Sequence, residues 1–157
     1  MAEAEAVAGK IGGGLDVFDP ADPRFVSPGD MPTKIVGWYF EHDLRPPDSP
    51  AEVVRCILES LAEAYARTIE TAETLAGAAL DTIHVVGGGS QNELLCQLTA
   101  NRTRRPVMAG PVEATAIGNL LVQARTMGLV DKDASLSDLR EIVRRSFPVT
   151  TYLPETC

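Results

Sequence analysis

The stretch IHVVGGGSQNELL, from Ile83 to Leu95, decides the fold of this chain. Its β-branched beginning, which continues through Val85 and Val86, predicts a short strand that is covered on both faces. Three consecutive glycines follow, and a turn without side chains permits positive φ angles and lets a ligand approach the backbone closely. The stretch therefore predicts a buried strand, a glycine turn and a helix in immediate succession.

The start of that helix carries its own signal. Ser90 and Glu93 have the S-x-x-E spacing of a capping box, and three leucines give the following residues, from Gln91 to about Asn101, an apolar helical face. The N-terminus of such a helix directs unpaired N–H groups and the positive end of its dipole toward the glycine turn. This arrangement is suited to a phosphate or a ribose.

The glycine turn does not match the common nucleotide-binding motifs. It is not a Walker A loop, because no Gly-Lys-Ser/Thr sequence follows, and Asn92 stands where the third small residue of G-x-G-x-x-G belongs. Many α/β proteins use glycines only to turn from strand to helix. From these residues alone, both a structural turn and a nucleotide site of another kind remain open.

The composition limits the class of protein. The chain has 157 residues, of which 45% are hydrophobic and 23% charged, and this is typical of one globular domain. A formal charge of −8 argues against a nucleic-acid partner or an anionic membrane surface, since the only basic runs are 102–105 and 144–145. The sequence has no apolar run that could span a bilayer and no signal peptide, so we expect a cytoplasmic protein.

The cysteines and histidines do not suggest a metal site. Cys56, Cys96 and Cys157 form an odd set without C-x-x-C spacing, which favours reduced thiols over disulfides or bound metal. His84 lies in the predicted strand and is expected to be a packed core residue. Trp38 is expected to anchor packing, in preference to stacking on a base.

The remaining elements follow from helical periodicity and from turn residues. Residues 1–17 are predicted to be a poorly ordered N-terminal segment, and residues 18–157 to form the domain. The predicted elements of that domain are helices over 31–42, 50–76 and 135–145, a strand at 106–108 and an extended tail over 147–153. A further helix is predicted from an apolar stripe that begins at Ala114, with a stop at Gly128. The helix over 50–76, which begins after Ser49 and ends at Gly77, is predicted to be the main scaffold.

Gly118 lies inside one of these helices. Glycine costs about 1 kcal/mol relative to alanine in a helix interior, which suggests that something approaches this position closely. Packing against a neighbouring helix is favoured over contact with a ligand held in the glycine turn.

With both glycine stretches placed, the chain resembles a known family. The segment VVGGGSQNELLCQLTANRTRRPVMAGPVEATAIGNLLVQA, residues 85–124, resembles the nucleotide-side signature of the FGGY carbohydrate kinases, and most closely their rhamnulokinase branch. Residues 19–25, 28–32 and 147–149 resemble other segments of the same enzymes. The resemblance implies an α/β fold, namely a partial ribonuclease-H-like C-terminal domain of the actin and sugar-kinase type, which is helix-rich with a small sheet.

The resemblance also implies roles for individual residues. Gly87, Gly88 and Gly89 would lie against the ribose and phosphates of ATP or ADP, which carries Mg²⁺, and Asn92 would hydrogen-bond on the adenine side. Gly118 would belong to a second helix packed behind that pocket. The resemblance assigns no catalytic residue and no protein metal ligand to this chain.

The family's N-terminal domain has no counterpart in these residues. That domain supplies a phosphate-binding hairpin, most sugar contacts and an aspartate general base, so we expect this chain to be about the last third of a kinase that converts ATP and L-rhamnulose to ADP and L-rhamnulose 1-phosphate. Phosphoryl transfer requires ATP, Mg²⁺ and the acceptor hydroxyl to be positioned together, so we expect no activity from this chain alone. Two alternatives stay open: a non-catalytic module that self-associates through exposed apolar surface, and one half of a split sugar kinase.

Overall fold

The fold is that of a computed structural model, which describes residues 7–10 and 16–155. Most of the segment predicted to be poorly ordered, residues 1–17, lies outside the described residues, as does Cys157. The chain divides into two compact units, Met1–Ala79 and Leu80–Cys157. None of the helices in the described ranges is long and apolar enough to cross a membrane.

The first unit is built on two helices whose ends the sequence predicts well. Helix α1 covers Met31–Glu41 and helix α2 covers Pro50–Ala76. The Ser49 side chain accepts a hydrogen bond of 3.2 Å from the Glu52 N–H, and Gly77 ends α2 in the left-handed conformation. The second bond expected of a capping box is displaced by one residue, because the Glu52 carboxylate accepts from the Asp48 N–H at 2.9 Å.

An aromatic cluster forms the core of this unit. Trp38 is 9% exposed, in agreement with its predicted role as a packing anchor, and its ring stacks on His42 with centroids 4.0 Å apart. Tyr39 and Cys56 are fully buried beside it. Burial along α2 ends at Ala66, so the last turns of this long helix contribute nothing to the core.

The second unit contains a three-stranded sheet in the order β1-β2-β3. Strands β1 (Ile83–Val85) and β2 (Val107–Ala109) are parallel, and β3 (Thr150–Tyr152) pairs antiparallel with β2. The tail predicted to be extended thus supplies a sheet strand. The helices of the unit are α3 (Glu93–Thr103), α4 (Ala114–Thr126) and α5 (Leu136–Ser146).

Helix α3 covers one face of the sheet. Cys96 and Ala100 on α3 pack with Val107 and Ala109 on β2, and Ile83, Val85 and Tyr152 border this cluster. The fold is therefore α/β, helix-rich with a small sheet, as the sequence predicts.

The prediction that β1 is covered on both faces, with His84 in the core, is wrong. Alternate residues of a strand point to opposite faces, and β1 is half-buried at Ile83 and Val85 but exposed at His84. The β-branched run predicts a strand correctly, but it does not reveal that α3 packs on one face only.

Candidate functional site

The glycine turn leaves the carboxyl end of β1 with an unusual backbone. Gly87 has φ 77° and ψ −163°, a combination that is essentially restricted to glycine. Its N–H donates to the Pro111 carbonyl at 3.4 Å, and a short 3-10 turn, Gly88–Gln91, follows. Glycine is therefore required at position 87 by the conformation of the turn itself.

The next two glycines differ from Gly87 in their surroundings. A Cβ atom built on Gly88 would meet no heavy atom of the described residues within 4 Å, whereas one on Gly89 would meet the Val85 Cγ1 atom at 3.8 Å. The backbone at Gly88 therefore borders open space, and a ligand could reach it.

The predicted capping box between Ser90 and Glu93 is wrong. The structure starts α3 at Glu93, and Asn92 is its N-cap, with the Oδ1 atom accepting from the Leu95 N–H at 2.8 Å. The Ser90 hydroxyl donates instead to the Gly87 carbonyl at 2.7 Å and closes the turn. Asparagine is as good a cap as serine, so the motif spacing alone chose the wrong residue.

A second turn lies beside the first at the same end of the sheet. The Gly110 N–H donates to the Val85 carbonyl at 2.9 Å, and the Gly110–Pro111 peptide bond is cis. Together with the bond from Gly87 to Pro111, this connects the residues that follow β1 with those that follow β2. In open α/β sheets, ligands bind outside the carboxyl ends of the strands, which is where these two turns lie.

The N-terminus of α3 adjoins the glycine turn. Its first N–H groups and the positive end of its dipole favour an anion at this position. Glu93 already places one carboxylate in the first turn of the helix. The four predicted site residues, Gly87, Gly88, Gly89 and Asn92, therefore form one continuous strand-to-helix connection.

A cavity of about 580 Å³ lies between the sheet, α4 and α5, and Val86, Gly110 and Pro111 beside the glycine turn contribute to its lining. We refer to it as the α4–α5 cavity. None of the four predicted site residues lines it. The lining residues with most bearing on its chemistry are His84, Met108, Ile117, Gly118, Arg140 and Arg144.

The expectation that a neighbouring helix packs closely on Gly118 is wrong. A Cβ atom built there would meet no heavy atom within 4 Å among the described residues, the backbone of α4 itself excepted. Helix α4 has no buried residue, so Gly118 borders the α4–α5 cavity instead of a packed helix.

Other reactive groups among the described residues are not arranged as a site. The described residues contain no group of three His, Cys, Asp or Glu side chains that could hold a metal ion. Cys56 and Cys96 are buried free thiols, and burial raises the pKa of Cys56 to about 11 and also raises that of Cys96. Both thiols are therefore protonated at neutral pH and poor nucleophiles.

Comparisons with known proteins identify the chain's relatives. The family model for the FGGY family of carbohydrate kinases, C-terminal domain, matches residues 1–127. A rhamnulokinase from Bacteroides thetaiotaomicron is 40% identical over 139 residues, which are 88% of this chain and 28% of the relative. Rhamnulokinases from an Enterobacter species (40% identity, 90% of this chain) and from Halalkalibacterium halodurans (41% identity, 86%) are also similar, and 28% of each is covered. The chain thus spans between a quarter and a third of the length of these relatives.

A solved structure supports the fold. The xylulose kinase from Rhodospirillum rubrum aligns with a TM-score of 0.63 and 22% sequence identity, over 98% of this chain and 29% of that protein. The shared architecture therefore includes both units of this chain.

Proposed function

Because this chain belongs to the FGGY family of carbohydrate kinases, matching its C-terminal domain, we propose that it is the ATP-binding part of a rhamnulokinase-like sugar kinase. The observation that carries the proposal is the connection from Gly87 to Asn92, which joins the carboxyl end of β1 to the N-terminus of α3. The reaction of the complete enzyme is the transfer of the γ-phosphoryl group of ATP to L-rhamnulose. ATP binding and a cytoplasmic location are parts of this proposal.

The nucleotide lies along the glycine turn. Gly88 leaves room for the ribose or phosphates against the backbone, while Gly87 sets the path of the turn. Asn92 hydrogen-bonds on the adenine side, and Mg²⁺ accompanies the phosphates. Binding of the sugar requires the part of such a kinase that lies outside the C-terminal domain matched here.

The chain alone has no kinase activity in this proposal. Catalysis of phosphoryl transfer consists almost entirely of positioning and electrostatic stabilisation, and it requires both substrates and the metal in one cleft. A chain that spans 28% of its relatives supplies only the nucleotide side of that cleft.

Calorimetric titration of the purified chain with Mg-ADP tests the proposal. We expect Gly88→Val to weaken binding at least about tenfold, because its side chain would occupy the open space at the turn. Gly37→Val is the matched control, since Gly37 on α1 also has open space around it but belongs to the other unit. Equal affinity of the Gly88→Val variant and the parent chain would overturn this nucleotide site.

A second candidate function, that of a non-catalytic module that self-associates, is favoured by apolar surface on α4 and just beyond it. Leu120 is 64% exposed, Met127 75% and Leu129 77%, and an exposed apolar patch promotes association. This module would pair with a second copy of the chain. Light scattering over a range of concentrations tests it, and a mass that stays monomeric throughout would exclude it.

The remaining alternative is that the chain is one half of a split sugar kinase, and it predicts activity only when both halves are present. A separately encoded N-terminal half would restore activity when it is mixed with this chain. Rhamnulose phosphorylation that appears only in the mixture would support it, whereas an inactive mixture of two folded halves would contradict it.

A further inference from the structure

The α4–α5 cavity has the chemistry of a second ligand site. We propose that it binds a small amphipathic organic anion, a molecule with an apolar ring or chain and one carboxylate, sulfonate or phosphate group. Gly87, Gly88, Gly89 and Asn92 do not line this cavity, but Val86, Gly110 and Pro111, which adjoin the glycine turn, do, so the test includes competition with Mg-ADP.

The size and lining of the cavity suit the apolar part of such a ligand. Its volume of about 580 Å³ is within the range of about 300–1,000 Å³ that is typical of small-molecule sites. Met108 on β2, Ile117 on α4 and Val143 on α5 supply apolar surface from three different elements. An apolar group that enters the cavity is therefore removed from water on several sides.

The charged groups of the cavity are cationic. Arg140 and Arg144, from successive turns of α5, carry this charge, whereas His84, at the centre of β1, adds a polar ring to the lining. No carboxylate within the described ranges lines the cavity, although the whole chain has a formal charge of −8. This local excess of positive charge selects an anion over a cation or a neutral molecule.

The two arginines differ in their ion pairs. Arg140 makes no ion pair with any residue that the structure describes. Arg144 contacts the Glu141 carboxylate at 3.3 Å, but Glu141 also holds Arg145 at 2.9 Å. A ligand anion would therefore find one guanidinium that no described carboxylate pairs and a second that shares its carboxylate. Guanidinium groups bind oxyanions through paired N–H donors.

Gly118 supplies the space on the α4 side. An added Cβ atom would meet no described heavy atom within 4 Å beyond the helix's own backbone, and the residue lines the cavity. A larger side chain at this position would extend from that open space into the cavity. A substitution here is therefore a way to block the cavity, and the melting temperature of the variant reports whether the fold is kept.

Fluorescence titration with 8-anilinonaphthalene-1-sulfonate, a naphthalene ring with one sulfonate, tests the proposal on the full chain. We expect saturable binding that Arg140→Gln weakens about five- to tenfold, the loss of one charge-assisted contact. Arg145→Gln is the control for the loss of one positive charge from α5, because Arg145 does not line the cavity. Equal affinities of the parent, Arg140→Gln and Arg145→Gln chains would overturn the proposal.

Gly118→Leu separates a filled cavity from an unfolded chain. We expect it to abolish binding of the probe while the melting temperature stays the same or rises, since leucine is a better helix former than glycine. Binding that persists in this variant would place the probe elsewhere and overturn the proposal.

Two further titrations establish the ligand class. The uncharged analogue N-phenyl-1-naphthylamine should bind the parent chain more weakly than the sulfonate, and this preference should vanish in Arg140→Gln. Mg-ADP should leave the bound probe in place. Displacement of the probe by Mg-ADP, together with weaker Mg-ADP binding in Arg140→Gln, would show that the cavity is part of the nucleotide site and would overturn the proposal. Failure of Mg-ADP to bind the chain at all would count against the proposed function alone.

Discussion

The side chain of Asn92 fixes the first turn of α3, because its Oδ1 atom accepts a hydrogen bond of 2.8 Å from the backbone N–H of Leu95. The same residue is proposed to bond the nucleotide on its adenine side. The two roles use different atoms, since the cap requires an acceptor oxygen and the amide nitrogen is a donor. A substitution that keeps the acceptor oxygen but removes the amide donor can therefore separate the two roles.

We predict that Asn92→Ala and Asn92→Asp differ in stability but not in nucleotide binding. Alanine removes the cap and should lower the free energy of unfolding by about 1 kcal/mol, whereas aspartate caps as well as asparagine. Both variants lose the amide donor and should bind Mg-ADP more weakly. Urea unfolding and calorimetry measure the two effects, and full affinity in Asn92→Asp would show that the amide does not contact the nucleotide.

A second prediction concerns the backbone of the glycine turn. Gly87→Ala should lower the free energy of unfolding by about 1–3 kcal/mol, because alanine is strained at φ 77° and ψ −163°. Gly88→Ala is the matched control, as its φ is not in the left-handed region and its added Cβ would have open space. Similar losses of stability in both variants, measured by urea unfolding, would contradict this assignment of strain to Gly87.

The elements that the sequence predicts best are those with local signals. Ser49 and Gly77 bound α2 as expected, and Ser135 caps α5, because a cap is a contact between residues three or four positions apart. Where two nearby residues could both cap a helix, their spacing in the sequence does not show which of them does so. Ser90 and Asn92 both suit an N-cap, and only the path of the glycine turn decides between them.

The features that the sequence does not predict depend on distant contacts. His84 is exposed because α3 covers only the other face of β1, and β3 forms because the tail returns to β2. The glycine turn could be found from its motif. The α4–α5 cavity could not, since Arg140 and His84 come together only through packing of the second unit.

A third prediction tests a buried ion pair in the first unit. The side chains of Arg55 and Glu59 are 12% and 10% exposed and lie 2.7 Å apart, and Arg55 also donates to the Ala8 carbonyl at 3.3 Å. Arg55→Met should destabilise the chain by about 3 kcal/mol, because it leaves the Glu59 carboxylate buried without its guanidinium.

The double variant Arg55→Met/Glu59→Leu provides the control for that prediction. Replacing both charges with apolar side chains removes the desolvation cost as well as the attraction, so much of the lost stability should return. Urea unfolding of the four chains forms a double-mutant cycle. Additive losses in the double variant would show that the two side chains do not interact.

The last prediction concerns acid and the start of α5. The Asp138 carboxylate accepts hydrogen bonds from the Ser135 hydroxyl at 2.7 Å and from the Ser135 N–H at 2.8 Å, and these bonds lower the pKa of Asp138 from its ordinary value of 3.8. A carboxyl group whose pKa is lower in the folded state contributes stability above its ordinary pKa and loses it as the pH falls through the lowered value. Asp138→Asn should therefore melt below the parent chain at pH 7, and the two melting temperatures should converge as the pH falls below 3.8. Thermal unfolding from pH 7 to pH 2 measures this difference, with Asp133→Asn, an exposed position outside the capping box, as the control; a difference that stays constant over that range would mean that the charge of Asp138 does not stabilise α5.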